Sequence, residues 1–327
     1  MNYHTHTLSN GLRIIHAQNQ SAVAYCGYAI DAGTRDEEEN EQGMAHFVEH
    51  LIFKGTQKRH SWHILNRMEH VGGDLNAYTN KEETVVYSAF LVEHFPRAVE
   101  LLTDIVFHST YPQAEIDKEV EVIIDEIQSY EDTPSELIFD DFEELVFPNH
   151  PLGRNILGKP ELLRQFKSED ALRFTNRFYR PDNMVFFVQG NVDFKRVVRL
   201  LEKAVSDIPA TITERNRIKP ELYIPQNKTI HRDTHQAHVM IGSRGYDAHM
   251  PCLPRCIGWR SCSPLCRASR STIWRRCRSP NFPLSLPYRK HLNRTNLFCY
   301  GRLSYNHLLL ENGCGQSLLC IPSSVYS

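Results

Sequence analysis

The sequence predicts an α+β fold, in which a layer of hairpin-connected strands packs against helices without strict alternation of the two. Three observations carry this. Asn10-Gly11 separates two short strand-like runs, a strong hairpin signal. Ile116, Val120, Ile123, Ile124 and Ile127 recur at i, i+4, i+7, i+8 and i+11, the period of one helix face. Two strand-like runs, 74–80 and 84–91, are joined by a short charged turn, not by a helix.

Taken in order, strands are predicted over 4–8 and 12–16, and a third over 22–30 that ends near Gly33. A helix over 43–53 is apolar through Phe47, Val48, Leu51 and Ile52, so it should be buried. The next helix, 61–71, stops at Gly72-Gly73, and the strand pair follows. Phe95, Val99, Leu102 and Val106 mark an amphipathic helix, and 115–130 is the helix with the isoleucine stripe. Helices over 135–146 and 168–179 lead to a strand at 184–189. Phe194, Val197, Val198 and Leu201 then give a last helix.

Residues 211–221 are polar, end near Pro220, and read as a linker after a first domain of 1–210. Strand-like 228–232 and 238–243 open a second domain over 222–249, and the pattern is lost after His249. A chain of 327 residues is long enough for two domains, each with its own core.

At 41% hydrophobic and 23% charged residues the composition is that of an ordinary globular chain. No apolar run approaches the roughly 20 residues needed to span a bilayer. The first residues lack the basic and apolar blocks of a signal peptide, so a cytoplasmic location is expected. The near-neutral total conceals an asymmetry. Residues 251–327 hold eleven Lys and Arg against one acid, Glu311, whereas the first 250 hold 26 basic and 38 acidic residues. Eight of the nine cysteines lie in this tail.

Cys252, Cys256, Cys262 and Cys266 are spaced as two pairs, but the gap between pairs is far below the roughly 15–20 residues of four-cysteine zinc knuckles. A disulfide framework conflicts with the expected compartment. No periodic helix or aromatic ladder presents the basic charge to nucleic acid. The abrupt change in composition reads best as out-of-frame or disordered sequence over 250–327.

The most informative motif is His46-Phe-Val-Glu49-His50, which spells H-x-x-E-H. On a helix, positions i, i+3 and i+4 share one face, so two imidazoles and a carboxylate point the same way. Two neutral imidazoles can hold zinc, while the carboxylate before the second His handles protons, the order found in inverzincin metallopeptidases. A metal site needs a further ligand. Glu119 and Glu126 lie seven apart, about 10 Å along the axis, at the margin of the apolar stripe of the 115–130 helix. A carboxylate there could reach a metal carried by a neighbouring buried helix. On pattern alone the pair is equally a solvated helix face. His60, His63 and His70 are read as surface or packing residues, and Arg35 with 36–39 as an exposed acidic loop.

In the spacing of these motifs the chain resembles the pitrilysin, insulin-degrading enzyme and mitochondrial processing peptidase family of zinc metallopeptidases. It is most similar to the shorter, processing-peptidase type, over about residues 3–245. His50 to Glu126 is 76 positions, and Gly72-Gly-Asp-Leu-Asn-Ala-Tyr-Thr-Asn80 resembles the family's segment beside the active site. The resemblance implies a two-layer sheet-and-helix peptidase domain, followed here by the truncated or scrambled start of a second, related domain. It also implies His46, His50 and Glu126 as ligands of one zinc ion, Glu49 as base, Glu119 as an outer carboxylate, and Asn76 and Ala77 as contacts to the substrate backbone.

The expected function is metalloendopeptidase hydrolysis of a peptide or unfolded protein, in a homo- or hetero-oligomer with a related subunit, without nucleic acid or membrane. The alternatives are a zinc-binding but inactive truncated member and a non-catalytic partner subunit.

Overall fold

The computed structural model describes residues 3–221, 223–232, 237–244, 308–312 and 316–320, the last two stretches as backbone. Packing divides the chain into two compact units, Met1–Glu131 with Arg154–Lys219, and Asp132–Gly153 with Pro220–Ser327.

The first unit is built on a six-stranded sheet. Its strands are β1 (Tyr3–Thr7), β2 (Arg13–Gln18), β3 (Val23–Ile30), β4 (Asp74–Thr79), β5 (Thr84–Leu91) and β6 (Met184–Gly190), in the order β1-β2-β6-β3-β5-β4. Only the β2–β6 pair is parallel. The hairpin at Asn10-Gly11 is present, but its loop is three residues long. Leu8 and Leu12 close it, and Gly11 takes the left-handed conformation at φ +93°. In a three-residue hairpin loop the last position is left-handed, and glycine adopts that conformation without steric cost.

The pleat sorts the side chains. Ala24, Cys26, Tyr28 and Ile30 of β3 are fully buried, while Val23 and Tyr25 face out. On the inner face α3 (Phe95–Phe107) packs on β3 and β5, and the Tyr28 hydroxyl meets Thr103 Oγ1 at 2.8 Å. Helix α1 (Met44–Leu51) lies against β4 and against two later helices, α4 (Gln113–Glu131) and α7 (Ser168–Phe178). Helix α2 (Ser61–Glu69) packs on α3 and β4, α6 (Pro160–Leu163) precedes α7, and α8 (Phe194–Ala204) packs on α3.

The second unit includes a sheet of β7 (Asn227–Ile230), β8 (Ala237–Gly242), β9 (Leu308–Asn312) and β10 (Gln316–Cys320), in the order β7-β10-β8-β9. Helix α5 (Pro134–Val146) packs on β8 and β10. Ile138, Phe142, Leu145 and Val146 share a small core with Met240. The Arg244 guanidinium donates to the Val146 carbonyl and lies over the Phe147 ring at 4.7 Å.

The architecture is α+β, as expected, but the linear boundaries differ in two places. Residues 132–153 belong with the second unit, because the apolar face of α5 is spent on β8 and β10. Residues 211–219, expected to be a linker, belong with the first. Thr211 and Thr213 bond Asp182, and Arg217 grips Asp36 through two contacts of 2.7 Å. Within 250–327 the described residues are the backbone of β9 and β10, which pairs with β8 and β7. Cys252, Cys256, Cys262 and Cys266 lie outside the described residues, as does most of the 250–327 segment. Among the described residues no helix is long and apolar enough to cross a membrane.

Candidate metal centre

Helix α1 is only eight residues long, so its position depends on what surrounds it. Met44, Ala45, Phe47, Val48 and Leu51 sink into the core. Its first turn is capped from a distance, since the Glu37 carboxylate accepts the N–H groups of Gly43 at 3.0 Å and Ala45 at 2.8 Å. The acidic run is therefore not simply an exposed loop. Glu37 is buried, Asp36 is paired with Arg217, and only Glu38 and Glu39 face solvent.

The remaining face of α1 presents His46, Glu49 and His50 towards α4. On α4 the isoleucine stripe is buried, which places Glu119 and Glu126 at its edge, facing α1. His46 Nε2 and His50 Nε2 lie 3.9 Å and 3.6 Å from Glu126 Oε2, and the three donor atoms all fall within 4.8 Å of one another. Ligands of a tetrahedral zinc ion at 2.0–2.2 Å stand about 3.3 Å apart, so a small contraction accommodates the ion. Two imidazoles and one carboxylate with a fourth position open is the donor set of a catalytic zinc site. The residues present fit the metal.

The electrostatics agree with that fit. Burial, followed by the neighbouring His50, lowers the His46 pKa to about 3, so its imidazole is neutral at pH 7. Burial also opposes the cationic form of His50, but Glu119, Glu126 and Glu49 outweigh it and raise its pKa. His50 Nδ1 lies 3.0 Å from Glu119 Oε1, the outer carboxylate contact that orients a ligand imidazole. His46 lacks such a contact, for its buried Nδ1 has no partner among the described residues. Glu119 is held below the usual carboxylate range. Burial pushes it up, but His50 and Lys54 prevail.

Glu49 is half-buried beside the three donor atoms. Its carboxyl is raised by burial, against the opposing influence of the neighbouring Thr79 and His50. Thr79 ends β4, the terminal strand of the six-stranded sheet among the described residues. Asn76 is exposed in the middle of β4, opposite Tyr87, and Ala77 beside it is half-buried. The Asn76 Oδ1 atom accepts the Ala77 N–H at 2.8 Å. His60, His63 and His70 are all exposed and distant in role from this cluster.

Lys54 and Glu37 escaped sequence reasoning. Lys54 lies four residues beyond His50, a spacing too common to single it out, and Glu37 sat within a run of acids.

The model of the insulinase family, peptidase family M16, matches residues 13–160, and that of the peptidase M16 inactive domain matches 165–253. An uncharacterised zinc protease of Rickettsia bellii is 35% identical over 246 residues, 75% of this chain and 59% of that protein. The chain belongs to peptidase family M16. The beta subunit of the mitochondrial-processing peptidase of Bos taurus is 31% identical over 324 residues, 97% of this chain and 64% of that protein. The M16 chain thus spans about three-fifths of the length of these relatives. Among solved structures, the periplasmic protease PqqL of Escherichia coli superposes with a TM-score of 0.72 at 21% identity, over 95% of this chain and 35% of that one. A protease from Helicobacter pylori gives 0.69 at 21% identity, over 76% and 62%. At that identity the two structures speak for the fold alone.

Proposed function

We propose that this M16 chain is the metal-bearing part of a zinc metalloendopeptidase, with one zinc ion held by His46, His50 and Glu126. The observation that supports it most is the convergence of three donor atoms within 4.8 Å from two helices far apart in the chain. The zinc proteases among its relatives agree with the choice of metal.

Bound there, zinc supplies Lewis acidity and lowers the pKa of a coordinated water towards 7. The chain's own residues do the rest. Glu49, with a raised pKa, takes a proton from the attacking water and passes it to the leaving amine nitrogen. Glu119 holds the His50 ring through Nδ1 and so keeps Nε2 directed at the ion. A peptide adds as a further strand on β4, where Asn76 and Ala77 meet its backbone, because among the described residues β4 has a sheet neighbour on one side only. Main-chain pairing accepts varied side chains, which suits a peptide or unfolded protein substrate. A second related subunit, in a homo- or hetero-oligomer, is the expected partner, in keeping with the relative named as a beta subunit.

A second reading, motivated by the change of composition after residue 250, is that the chain binds zinc but does not turn over substrate. Metal analysis combined with a peptide-cleavage assay separates the two. The expected result is one zinc per chain, removable by chelator, with hydrolysis that Glu49→Gln lowers by about 10²–10⁴-fold while zinc stays bound. Zinc without hydrolysis in the parent supports the second reading. Parental cleavage by Glu49→Gln overturns the role of the base, and a chain without zinc overturns the site.

A further inference from the structure

Glu119 divides its carboxylate between two donors. Oε1 lies 3.0 Å from His50 Nδ1, and Oε2 lies 2.6 Å from Lys54 Nζ. The side chain is 9% exposed, so an ionised group there has little water and depends on both partners. Lys54 belongs neither to the H-x-x-E-H motif nor to α4. It sits in the turn that ends α1, where its N–H bonds the Leu51 carbonyl at 2.9 Å. Directly after it, Gly55 bridges to His60 and Thr56 to Ser109. The backbone is therefore anchored on both sides of Lys54, which determines where the ammonium is delivered.

We propose that Lys54 is a positioning residue of the metal centre: its ammonium holds Glu119 in the orientation that engages His50 Nδ1, and so aims His50 Nε2 at the metal. The proposal rests on the zinc-site reading above. A ligand imidazole has two nitrogens, and the acceptor met by the non-ligating one sets both tautomer and ring angle. A carboxylate engaged through one oxygen can swing about its last torsion, whereas one with both oxygens engaged cannot. A charged donor suits this place, because a neutral one would leave the buried charge of Glu119 uncompensated.

Lys54 also puts a positive charge near a site for a divalent cation, and repulsion alone would weaken metal binding. Positioning and repulsion therefore predict opposite outcomes when the charge is removed. The test is the zinc dissociation constant, measured by competition with a chromophoric chelator. The proteins are the full chain, Lys54→Met, Lys54→Arg, Glu119→Gln and the Lys54→Met/Glu119→Gln double variant. Thermal midpoints of the metal-free proteins check folding, and Lys54→Gln replaces any Met variant that fails it.

Lys54→Met is expected to weaken zinc binding by about tenfold or more, within the range for loss of an outer contact. Lys54→Arg keeps the cation and should retain most of the affinity. The double variant should bind no worse than Glu119→Gln alone, because Lys54 acts through Glu119. Unchanged or tighter zinc in Lys54→Met, or losses that simply add in the double variant, overturns the positioning role while the metal site stands. A parent chain that binds no zinc overturns the site itself, and this role with it.

Discussion

Glu119 and Glu126 are the same residue seven positions apart on one helix, yet the fold separates their roles. Glu126 Oε2 converges with both imidazole Nε2 atoms, while Glu119 meets the far nitrogen of His50 and the Lys54 ammonium. Losing a ligand should therefore cost more than losing its support. Glu126→Ala is expected to weaken zinc binding by more than the about 10–100-fold that removing an outer partner costs, and Glu119→Ala to fall within that range. Equilibrium competition with a chelator measures both, and equal losses would contradict the separation. The spacing from His50 made the pair legible in the sequence, but not which oxygen goes where. Lys54 was illegible for a related reason: its importance lies in a contact with a residue 65 positions away, and no local pattern records that.

Helix α1 shows what an element needs beyond its own sequence. It begins at Gly43, whose φ of +96° suits glycine, and a Cβ there would lie 2.8 Å from the Gly158 Cα and the Leu157 carbonyl oxygen. Gly43→Ala combines left-handed strain with that clash. It should lower stability by about 2 kcal/mol or more, read from the urea midpoint, with zinc affinity falling as α1 shifts. The Glu37 cap adds a pH dependence. Burial pushes its carboxyl up to about 8, against the N–H bonds of Ala45 and Gly43 and the Arg154 charge. With an ordinary unfolded value of 4.5, the native state binds more protons between pH 4.5 and 8. The contribution of Glu37 is then fully present below pH 4.5 and is lost as pH rises through 8, at up to about 1.4 kcal/mol per pH unit. In metal-free protein, the fall in thermal midpoint from pH 5 to 8 should be shallower in Glu37→Gln than in the parent. An identical slope would remove Glu37 from the account.

At the scale of the whole molecule, the first unit is completed by residues distant in sequence. Arg217 reaches back to Asp36, with both contacts at 2.7 Å, and to Asp31 at 3.1 Å, while Arg215 also pairs with Asp31 at 2.7 Å. Asp36 is only 4% exposed, so removing the guanidinium strands a buried charge. Arg217→Ala should cost about 3 kcal/mol and speed proteolytic cleavage within 209–221. Urea unfolding and a timed digest measure the two effects. Parental stability would show that the segment is a plain linker after all.

The sequence by itself determined most of the first unit. Hydrophobic period and turn residues are local signals, and they placed every strand of the six-stranded sheet and all its long helices within a few residues. It also put the two imidazoles and the carboxylate of the candidate site together, because His46, Glu49 and His50 share one helix face whatever surrounds them. Only tertiary structure decided the rest: that α4 lies where Glu126 meets both imidazoles, that α5 serves the second unit, and that Glu37 and Lys54 brace the candidate site from outside its motif. The reason is physical. Periodicity records which face of an element is buried, whereas the partner it is buried against depends on long-range packing, which no single segment of chain encodes.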